Sequence, residues 1–412
     1  MSKTAIIGAG AAGMMCAGAL RSAGIDVTVF EKNEKPGRKL AITGKGRCNL
    51  TNNCEVQDFL SNVVTNPKFM QGSVYSFSPS DTIELFETLG VPLKTERGNR
   101  VFPCSDNAYD IVDALKRYMG KRAKQETVKE ITFSDNKVDK LITDKGEYHF
   151  DNVVVATGGA SYPLTGSTGD GYSFAMAAGH NIKKIIPSLV PLTTKGDTAK
   201  KLMGLSLRNV TLTVIDLKTG KSLYSELGEM LFTHFGVSGP LVLSASSHLH
   251  DMQPERYILS IDLKPALDVK KLDTRVLSDF SKYSNRDIIN AMKDLLPSKL
   301  IPVFADYCEI DPHTKVNSIT KEQRKRIVEG LKGFKLTVTG FRPIAEAIVT
   351  CGGVDAKEIN PKTMESKLAE GLYFAGEVID IDAYTGGFNL QLAFSSAVSC
   401  ANAIIKKEKK DD

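Results

Sequence analysis

The sequence lacks the features that mark membrane-spanning, zinc-binding and disulfide-linked proteins. It contains no run of about eighteen apolar residues, so no membrane-spanning helix is predicted. Its seven cysteines form no CxxC pair, which excludes the common zinc and thiol-exchange motifs and favours a reducing cytoplasm. We therefore expect a cytoplasmic protein with no metal site.

An excess of charge of one sign is also missing. The 53 Lys and Arg residues are nearly balanced by 48 Asp and Glu residues, which leaves a net charge of +5. The basic residues are scattered, without the aromatic-interleaved basic stripe that is typical of nucleic-acid surfaces. We therefore expect a small-molecule substrate and no nucleic-acid partner. The sequence carries no prediction of the oligomeric state.

What the sequence does contain is enough apolar chain for more than one core. Its 412 residues, of which 42% are hydrophobic, predict two or three domains. Three apolar runs that stop at glycine, at residues 4–7, 153–156 and 371–375, predict one parallel α/β sheet with its ligand at the carboxyl ends of the strands. Between them, alternating segments predict a small β-barrel or sandwich, and a later stretch with helical spacing predicts a helical insertion.

The predicted fold is therefore α/β, with a discontinuous Rossmann-type nucleotide-binding domain that holds two insertions. The nucleotide-binding domain is predicted over residues 1–187 and 334–412, a β-barrel-like inserted domain over 188–265, and a small helical inserted domain over 266–333.

The strongest motif is a glycine-rich turn between a strand and a helix. The segment GAGAAG, residues 8–13, follows the first apolar run, and Glu31 ends the next strand. Gly8 permits a tight turn, Gly10 lets the backbone approach a pyrophosphate, and Gly13 allows close packing of helix on strand. The helix N-terminus would offer N–H groups and a partial positive charge to the phosphates. This βαβ unit predicts dinucleotide binding.

Glu31 bears on which nucleotide is bound. A carboxylate at the end of the second strand accepts hydrogen bonds from ribose hydroxyls and repels a 2′-phosphate. An NADP-type nucleotide is therefore not expected at this turn. FAD and NAD share the fingerprint, so the choice between them depends on the rest of the chain.

A long polar loop over residues 32–52 follows the second strand. It mixes glycine with lysine, arginine, threonine and asparagine, which suits a segment lying along an extended cofactor. Loops of this length inside compact domains are usually functional.

Several segments together resemble the aminoacetone oxidase family of FAD-dependent oxidoreductases. Besides the glycine-rich start, they are TGKGRCNLTN (43–52), GGASYPLTGSTGDGY (158–172), LFTHFGVSGP (231–240) and GLYFAGEVIDIDAYTGGFNLQLAF (371–394). The family also includes a dehydro-bile-acid reductase. The resemblance spans essentially the whole chain. It implies FAD as the cofactor and an FAD-binding domain with inserted β-barrel and helical domains.

The resemblance also implies which residues hold the FAD. The residues assigned to the pyrophosphate are Gly8, Gly10, Ala12 and Gly13, and Glu31 is assigned to the adenosine ribose. The backbone of Val128 stands where such proteins often meet adenine. Further cofactor-binding residues in the loop and after the strand near residue 155 are Lys32, Gly37, Arg38, Lys39, Thr43, Gly44, Gly46, Arg47, Cys48, Asn49, Thr157, Gly158 and Gly159.

The C-terminal segment supplies a further physical argument. Gly376-Glu377 ends a strand where many flavoproteins of this superfamily carry Gly-Asp, whose carboxylate holds a ribityl hydroxyl. A helix that begins shortly afterwards would direct its N–H groups at the pyrimidine edge of the flavin and favour negative charge on the reduced flavin. The residues predicted to take part are Gly376, Glu377, Gly386, Gly387, Phe388, Asn389 and Leu390.

The catalytic candidates are fewer. His234 is a possible proton donor because imidazole titrates near neutral pH, although an isolated histidine in an apolar segment is more often structural. Tyr162 and Tyr384 lie in glycine-rich loops and suit either substrate orientation or packing. Cys48 and Cys351 have no partner cysteine two residues away, so structural thiols are expected.

The expected function is that of an FAD-dependent oxidoreductase that transfers a hydride between flavin and a small organic substrate, with NADH, NADPH or oxygen as redox partner. Two versions stay open: an amine oxidase of the aminoacetone type that produces hydrogen peroxide, and an NAD(P)H-dependent reductase of an activated C=C bond. No second strand–GxGxxG–helix unit is present, so NADH or NADPH would dock transiently as a co-substrate. A non-enzymatic alternative is a flavoprotein with an RNA-binding or structural role.

Overall fold

The structure, a computed structural model, describes residues 3–411. The chain forms two compact units. Unit 1 consists of the chain up to Ser188 together with the chain from Ile344 onward, and unit 2 consists of Leu189–Pro343.

The elements of the first part of unit 1 alternate between short strands and helices. The strands are β1 (Thr4–Ile7), β2 (Val27–Glu31), β3 (Thr51–Asn52), β4 (Val63–Thr65), β5 (Leu93–Glu96), β6 (Arg100–Pro103), β7 (Lys124–Gln125), β8 (Val128–Ser134), β9 (Lys137–Thr143), β10 (Glu147–His149), β11 (Asn152–Val155) and β12 (Ile182–Ser188). The helices are α1 (Ala11–Ser22), α2 (Arg38–Ile42), α3 (Val56–Ser61), α4 (Pro67–Ser76), α5 (Pro79–Thr88), α6 (Ala108–Met119) and α7 (Asp170–Ala177).

Unit 2 follows, and the chain then returns to unit 1. The strands of unit 2 are β13 (Leu192–Thr194), β14 (Ser206–Asp216), β15 (Ser222–Phe232), β16 (Gly236–Ser238), β17 (Tyr257–Asp262) and β18 (Phe334–Phe341). Its helices are α8 (Thr198–Lys201), α9 (Pro240–Ser246), α10 (Val269–Lys282), α11 (Ile288–Ala291), α12 (Leu300–Tyr307) and α13 (Lys321–Lys332). The returning part of unit 1 contains β19 (Val349–Val354), β20 (Leu372–Phe374), β21 (Asp382–Ala383) and α14 (Phe388–Asp411).

A parallel sheet with the strand order β20-β11-β1-β2-β7 forms the centre of unit 1. Its pairing places Ile7 beside Val155 and Phe30, and Val155 beside Phe374, so the carboxyl ends of the strands meet at one edge. The prediction that the three glycine-stopped runs share one sheet is therefore confirmed. Strands β1 and β11 are buried along their whole length, as parallel strands covered on both faces are.

Helix α14 packs against α1 beside this sheet. Ala397, Cys400, Ala401 and Ile404 recur at three- and four-residue spacing and are fully buried. An eighteen-residue window of the helix has a mean hydropathy of 1.3, so the helix is long and apolar enough to cross a membrane by composition. Inside the protein 61% of that window is buried. Such burial is typical of the core helix of a globular domain.

In unit 2, six strands form a closed barrel in the order β13-β16-β15-β14-β17-β18. The predicted β-barrel is therefore confirmed. The long hairpin of β14 and β15 alternates in burial, with Val210, Leu212 and Val214 inside the barrel. At its turn, the carboxylate of Asp216 receives two hydrogen bonds from the Arg256 guanidinium, at 2.9 and 3.0 Å.

The structure corrects one predicted boundary. Residues 334–343 were predicted to return to the nucleotide-binding domain, but β18 pairs with β17 and β13 and closes the barrel. The physical reason is the alternation of Phe334, Leu336 and Val338, whose buried side chains face the barrel interior rather than a parallel sheet. Unit 1 therefore resumes at Ile344. Helices α10–α13 belong to the same unit as the barrel, and α13 packs on β17 and β18.

Candidate cofactor site

The glycine-rich turn lies between β1 and α1, at the carboxyl edge of the parallel sheet. A Cβ atom on Gly8 would lie 2.6 Å from the carbonyl oxygen of Ala156, and one on Gly13 would lie 1.9 Å from the carbonyl oxygen of Gly8. Neither position admits a side chain unless the backbone moves. A Cβ atom on Gly10 would meet no described atom within 4 Å. The turn is therefore tightly packed at Gly8 and Gly13 and open at Gly10.

The N-terminus of α1 opens beside this space. Gly10 is the N-cap residue. It has no side chain that could accept a hydrogen bond from the first N–H groups of the helix. An uncapped helix N-terminus leaves several N–H groups to be satisfied by a ligand, and its partial positive charge favours an anion. The open space at Gly10 and the uncapped helix therefore fit the pyrophosphate of a dinucleotide.

Glu31 is fixed next to the same turn. Its Oε2 atom accepts a hydrogen bond from the backbone N–H of Ala9 at 2.9 Å. Its Oε1 atom accepts from the backbone N–H and the Nδ2 of Asn33, at 2.8 and 2.7 Å. The carboxylate is thereby held at the end of β2, the position from which an acidic residue binds a ribose in this type of fold.

Three of the basic residues that follow Glu31, namely Lys32, Arg38 and Arg47, have protein partners of their own. Lys32 Nζ lies 2.5 Å from Asp170 Oδ2, and the exposed Arg38 donates to Asn33 Oδ1 at 2.8 Å. Arg47 pairs with Glu96 and with Asp106. The charges of Lys32 and Arg47 are therefore matched by carboxylates, whereas Arg38 donates to a neutral amide.

Lys39 and Glu377 form the most enclosed ion pair of the site. Lys39 Nζ donates to Glu377 Oε2 at 2.5 Å and to Ser161 Oγ at 2.6 Å, and both charged side chains are about one-fifth exposed. Glu377 Oε1 accepts from Ser161 Oγ and from the backbone N–H of Thr350, each at 2.9 Å. Burial raises the pKa of Glu377, but the Lys39 charge and these hydrogen bonds outweigh it and hold the pKa below its ordinary value.

The loop over residues 43–52 lies against the start of α14. With its amide turned to satisfy both neighbours, Asn49 accepts a hydrogen bond from the backbone N–H of Gly387 at 3.0 Å. Asn52 Nδ2 donates to the carbonyl of Gly386 at 3.1 Å. A Cβ atom on Gly387 would lie 2.4 Å from the backbone of Thr51. The two segments, far apart in sequence, are therefore in close backbone contact.

The other predicted cofactor-binding residues are distributed around these contacts. Gly37 is buried and precedes α2, and a 3-10 turn after α2 contains Thr43, Gly44 and Gly46. After β11 the chain continues through Thr157 to Gly158 and Gly159. Ala12 lies in the first turn of α1, and a Cβ atom added to Gly376 would lie 3.1 Å from the Cβ atom of Ala12. Val128 is buried at the start of β8.

The first residues of α14 have structural partners. The Phe388 ring packs on Phe59 with centroids 5.2 Å apart. The Asn389 amide accepts from the backbone N–H of Ala383 at 3.0 Å and donates to its carbonyl at 2.8 Å. Leu390 is partly buried. In this structure the side chains of Phe388 and Asn389 are engaged with the protein and the Gly387 N–H donates to Asn49, which leaves the backbone N–H groups of the first turn of α14 as the groups available to a ligand.

Sequence reasoning missed Ser161, Thr350 and Gln391. Ser161 lies within the segment GGASYP and could have been found there, because a serine hydroxyl in a glycine-rich cofactor loop can donate and accept hydrogen bonds. Thr350 gives no signal, since it contributes through its backbone N–H and through an Oγ1 that accepts from Ala160 and Ser161 N–H groups. Gln391 lies within the C-terminal motif, where nothing in the local sequence indicates its buried partners.

The structure places the three catalytic candidates in different surroundings. His234 is an exposed residue between β15 and β16 of unit 2, and its ring lies 5.0 Å from that of Phe235. Tyr162 is partly buried and has a φ of 50°. The backbone N–H of Tyr384 donates to the carbonyl of Asn62 at 3.0 Å. A catalytic role for any of the three stays a prediction.

The cysteines have the environment of structural thiols. The Cys48 side chain is fully buried, and burial raises its pKa to about 12. Burial also raises the pKa of Cys351 to about 12. Among the described residues, no group of three or more His, Cys, Asp or Glu side chains is placed to hold a metal ion.

Replacing Cys48 by alanine is expected to leave the rate of flavin reduction within about twofold of the parent protein. The thiol is enclosed and un-ionised at neutral pH, so it meets neither solvent nor substrate. Single-turnover reduction of the bound flavin checks this. A loss of about a hundredfold at unchanged FAD content would instead assign Cys48 a chemical role.

Together, the fold and the glycine turn define a protein with a Rossmann-type dinucleotide-binding domain. The chain belongs to the family described as HI0933-like protein Rossmann domain, whose model matches residues 2–403. The resemblance to an FAD-dependent oxidoreductase family is thereby confirmed, whereas the aminoacetone oxidase activity stays a prediction.

Three characterised relatives match almost the whole chain. A protein named ribosomal RNA dihydrouridine synthase from Haemophilus influenzae is 36% identical over 98% of this chain and 99% of its own length. A protein of the same name from Escherichia coli is 33% identical over 97% of each chain. A 3-dehydro-bile acid delta(4,6)-reductase from Clostridium scindens is 28% identical over 99% of this chain and 100% of its own length.

Solved flavoenzymes share the fold at low identity. The 3-ketosteroid delta1-dehydrogenase from Sterolibacterium denitrificans has a TM-score of 0.51 at 12% identity and covers 99% of this chain and 100% of its own. A flavocytochrome c3 fumarate reductase has a TM-score of 0.50 at 18% identity and covers 99% of this chain and 78% of its own. These likenesses support the fold alone.

Proposed function

We propose that this protein is an FAD-dependent reductase that converts uridine in ribosomal RNA to dihydrouridine. The observation that carries the proposal is the end-to-end match, at 36% and 33% identity, to two proteins named ribosomal RNA dihydrouridine synthase. The proposal replaces the expectation of a small-molecule substrate without a nucleic-acid partner.

The chemistry of the named products supports a reductase rather than an amine oxidase. Dihydrouridine is uridine with its C5=C6 bond saturated, and that bond is conjugated with the C4 carbonyl. The bile-acid relative is likewise named for reduction of double bonds in a 3-dehydro compound. Reduction of such an activated C=C bond adds a hydride at the carbon β to the carbonyl and a proton at the α carbon. The reductase alternative of the sequence analysis therefore has the stronger support.

The distribution of charge supports an RNA substrate. Unit 2 contains 23 Lys and Arg residues against 17 Asp and Glu, whereas the rest of the chain contains 30 against 31. The excess of positive charge in this chain therefore belongs wholly to unit 2. A phosphate backbone is attracted to such a segregated positive charge even when the net charge of the whole protein is small.

The residues of unit 1 that would hold FAD have separate tasks. The open turn at Gly10 and the uncapped start of α1 would bind the pyrophosphate, and Glu31 would bind the adenosine ribose. Lys39 and Glu377 form an enclosed ion pair near the carboxyl ends of the strands. Their two charges compensate each other, and the pair forms a fixed part of the site. Bound FAD would supply the two-electron chemistry, accepting a hydride from a reduced partner and giving one to the substrate.

NADH or NADPH is the proposed source of the hydride. We also propose that the protein is located in the cytoplasm. Overall, the nicotinamide would lose a hydride and the uracil ring would gain that hydride and one proton from solvent, which balances the reaction. The single glycine fingerprint is assigned to FAD, so the nicotinamide would dock only for the transfer.

Anaerobic spectroscopy of the two half-reactions tests this proposal. NADPH or NADH is expected to bleach the flavin absorbance, and extracted ribosomal RNA is expected to restore it at least about tenfold faster than an equal mass of DNA. Bleaching by aminoacetone, followed by peroxide formation in air and no response to RNA, would contradict the proposal and support the amine oxidase alternative.

A further inference from the structure

The side-chain amide of Gln391 uses all its hydrogen-bonding capacity inside unit 1. Its Oε1 atom accepts from Thr51 Oγ1 at 2.6 Å and from Thr82 Oγ1 at 2.7 Å. Its Nε2 atom donates to the Phe77 carbonyl and to Ser395 Oγ, each at 3.1 Å. A glutamine amide offers two donors and two acceptor sites, and all four are used. The Gln391 side chain is fully buried, as are Thr51 and Thr82.

This amide joins three segments that are distant in sequence. Thr51 belongs to β3, Thr82 to α5, and Phe77 to the loop before α5, while Gln391 lies in the first turn of α14. A buried, fully satisfied polar network specifies one arrangement of its members, because any other leaves polar groups unpaired. The first turn of α14 is therefore held in one orientation against β3.

The same two segments carry the predicted flavin contacts. Asn49 and Asn52 flank Thr51 and bind the backbone of Gly387 and Gly386. Gly386 and Gly387 have φ values of 127° and 96°, a conformation that glycine permits and that L side chains rarely adopt. Gln391 lies one turn further along, behind these glycines.

We propose that Gln391 is a positioning residue for the flavin: it locks the start of α14 to β3 so that the backbone N–H groups of the first turn of α14 meet the cofactor. Gln391 itself does not touch the flavin. The inference depends on FAD binding and not on the identity of the substrate.

If Gln391 has this positioning role, its replacement is expected to change the redox potential of the flavin. Oriented N–H groups and a helix N-terminus stabilise negative charge, which the two-electron reduced flavin carries and the oxidised flavin lacks. If the turn loses its support, the reduced form loses more stabilisation than the oxidised form. The midpoint potential then becomes more negative.

The test is the flavin midpoint potential of Gln391→Met, measured by equilibration with redox dyes. Methionine has a similar length and no amide. We expect the preference for the reduced form to fall about tenfold, which for a two-electron couple is about 30 mV, together with weaker FAD binding. The matched control is Ile404→Ala, a fully buried residue further along α14 whose loss lowers thermal stability and leaves the first turn unchanged. Its potential is expected to equal that of the parent.

Thr82→Val removes a single hydrogen bond from the network and keeps the shape of the side chain. It is expected to shift the potential in the same direction by a smaller amount, and it decides the matter if Gln391→Met does not retain FAD. An unchanged potential in every variant that retains FAD overturns the proposal. So does a shift of equal size in Ile404→Ala, which would reduce Gln391 to a general stabilising role.

Discussion

Replacing Gly10 by alanine is expected to leave unit 1 folded and to weaken FAD binding by at least about 100-fold. The added methyl group meets no described atom within 4 Å in the protein itself, so it costs the fold little. It does occupy the open space beside the start of α1 where the pyrophosphate is predicted to lie. Equilibrium titration with FAD, followed by flavin fluorescence, measures the effect, and thermal unfolding without FAD checks the fold.

Two further glycines complete this experiment. Gly13→Ala places its methyl group 1.9 Å from the carbonyl oxygen of Gly8 and is expected to lower the free energy of unfolding by about 3 kcal/mol. Gly72→Ala lies on an exposed face of α4, where the nearest neighbouring atom is 3.8 Å away, and is expected to leave FAD binding unchanged and to raise the free energy of unfolding by about 1 kcal/mol, because alanine is the better helix former. If Gly10→Ala binds FAD as tightly as Gly72→Ala, the pyrophosphate does not lie at this turn.

Replacing Lys39 by methionine is expected to lower the free energy of unfolding at neutral pH by about 2 to 3 kcal/mol. Glu377 would be left largely enclosed, with hydrogen bonds from Ser161 and Thr350 but without its countercharge. The cost is placed at the lower end for a broken buried pair because both side chains are about one-fifth exposed. Urea unfolding at several pH values measures it.

The dependence of the free energy of unfolding on pH is expected to have opposite signs in the parent protein and in Lys39→Met. In the parent protein the pKa of Glu377 lies below its ordinary value, so its contribution is present above a pH of about 4.3 and is lost as the pH falls through the folded-state pKa. In Lys39→Met burial dominates and raises that pKa, so stability is expected to increase as the pH falls from about 7 toward 5.

Controls separate this effect from a general loss of surface charge. Lys32→Met removes the more exposed pair with Asp170 and is expected to cost less than about 1 kcal/mol. The double variant Lys39→Met with Glu377→Leu is expected to recover much of the loss, because no unpaired charge remains. Equal losses in Lys32→Met and Lys39→Met would show that the enclosed pair has no special energetic role.

The central sheet was predictable because its signals are local. Each of the runs at residues 4–7, 153–156 and 371–375 is apolar and ends at glycine, and the parallel pairing rule then places their carboxyl ends together. The turn at Gly8 and the acidic residue Glu31 are likewise read within one βαβ unit. These predictions needed no knowledge of long-range contacts.

The contacts that complete the site were not predictable, because they join residues far apart in the chain. Glu377 meets Lys39, Ser161 and Thr350, and Gln391 meets Thr51 and Thr82. Nothing in the local spacing of these residues indicates their partners. The closing strand of the barrel is a similar case, since its alternation fits either a barrel or a sheet until its neighbours are known.

The nucleic-acid question shows a limit of whole-chain composition. A net charge of +5 over 412 residues argued against an RNA partner, yet the positive excess is confined to unit 2. Charge counted by unit, rather than over the chain, is therefore the quantity that bears on the proposed RNA substrate.

The most direct test of the proposed function is mass spectrometry of nucleosides from ribosomal RNA. RNA from a strain in which the gene is deleted would be incubated anaerobically with the purified protein, FAD and NADPH, with Gly10→Ala in parallel. We predict that dihydrouridine appears in proportion to NADPH oxidised, and that Gly10→Ala forms little at limiting FAD. Ribosomal RNA that stays unchanged, while the same preparation reduces its flavin with an amine and forms peroxide in air, would contradict the account.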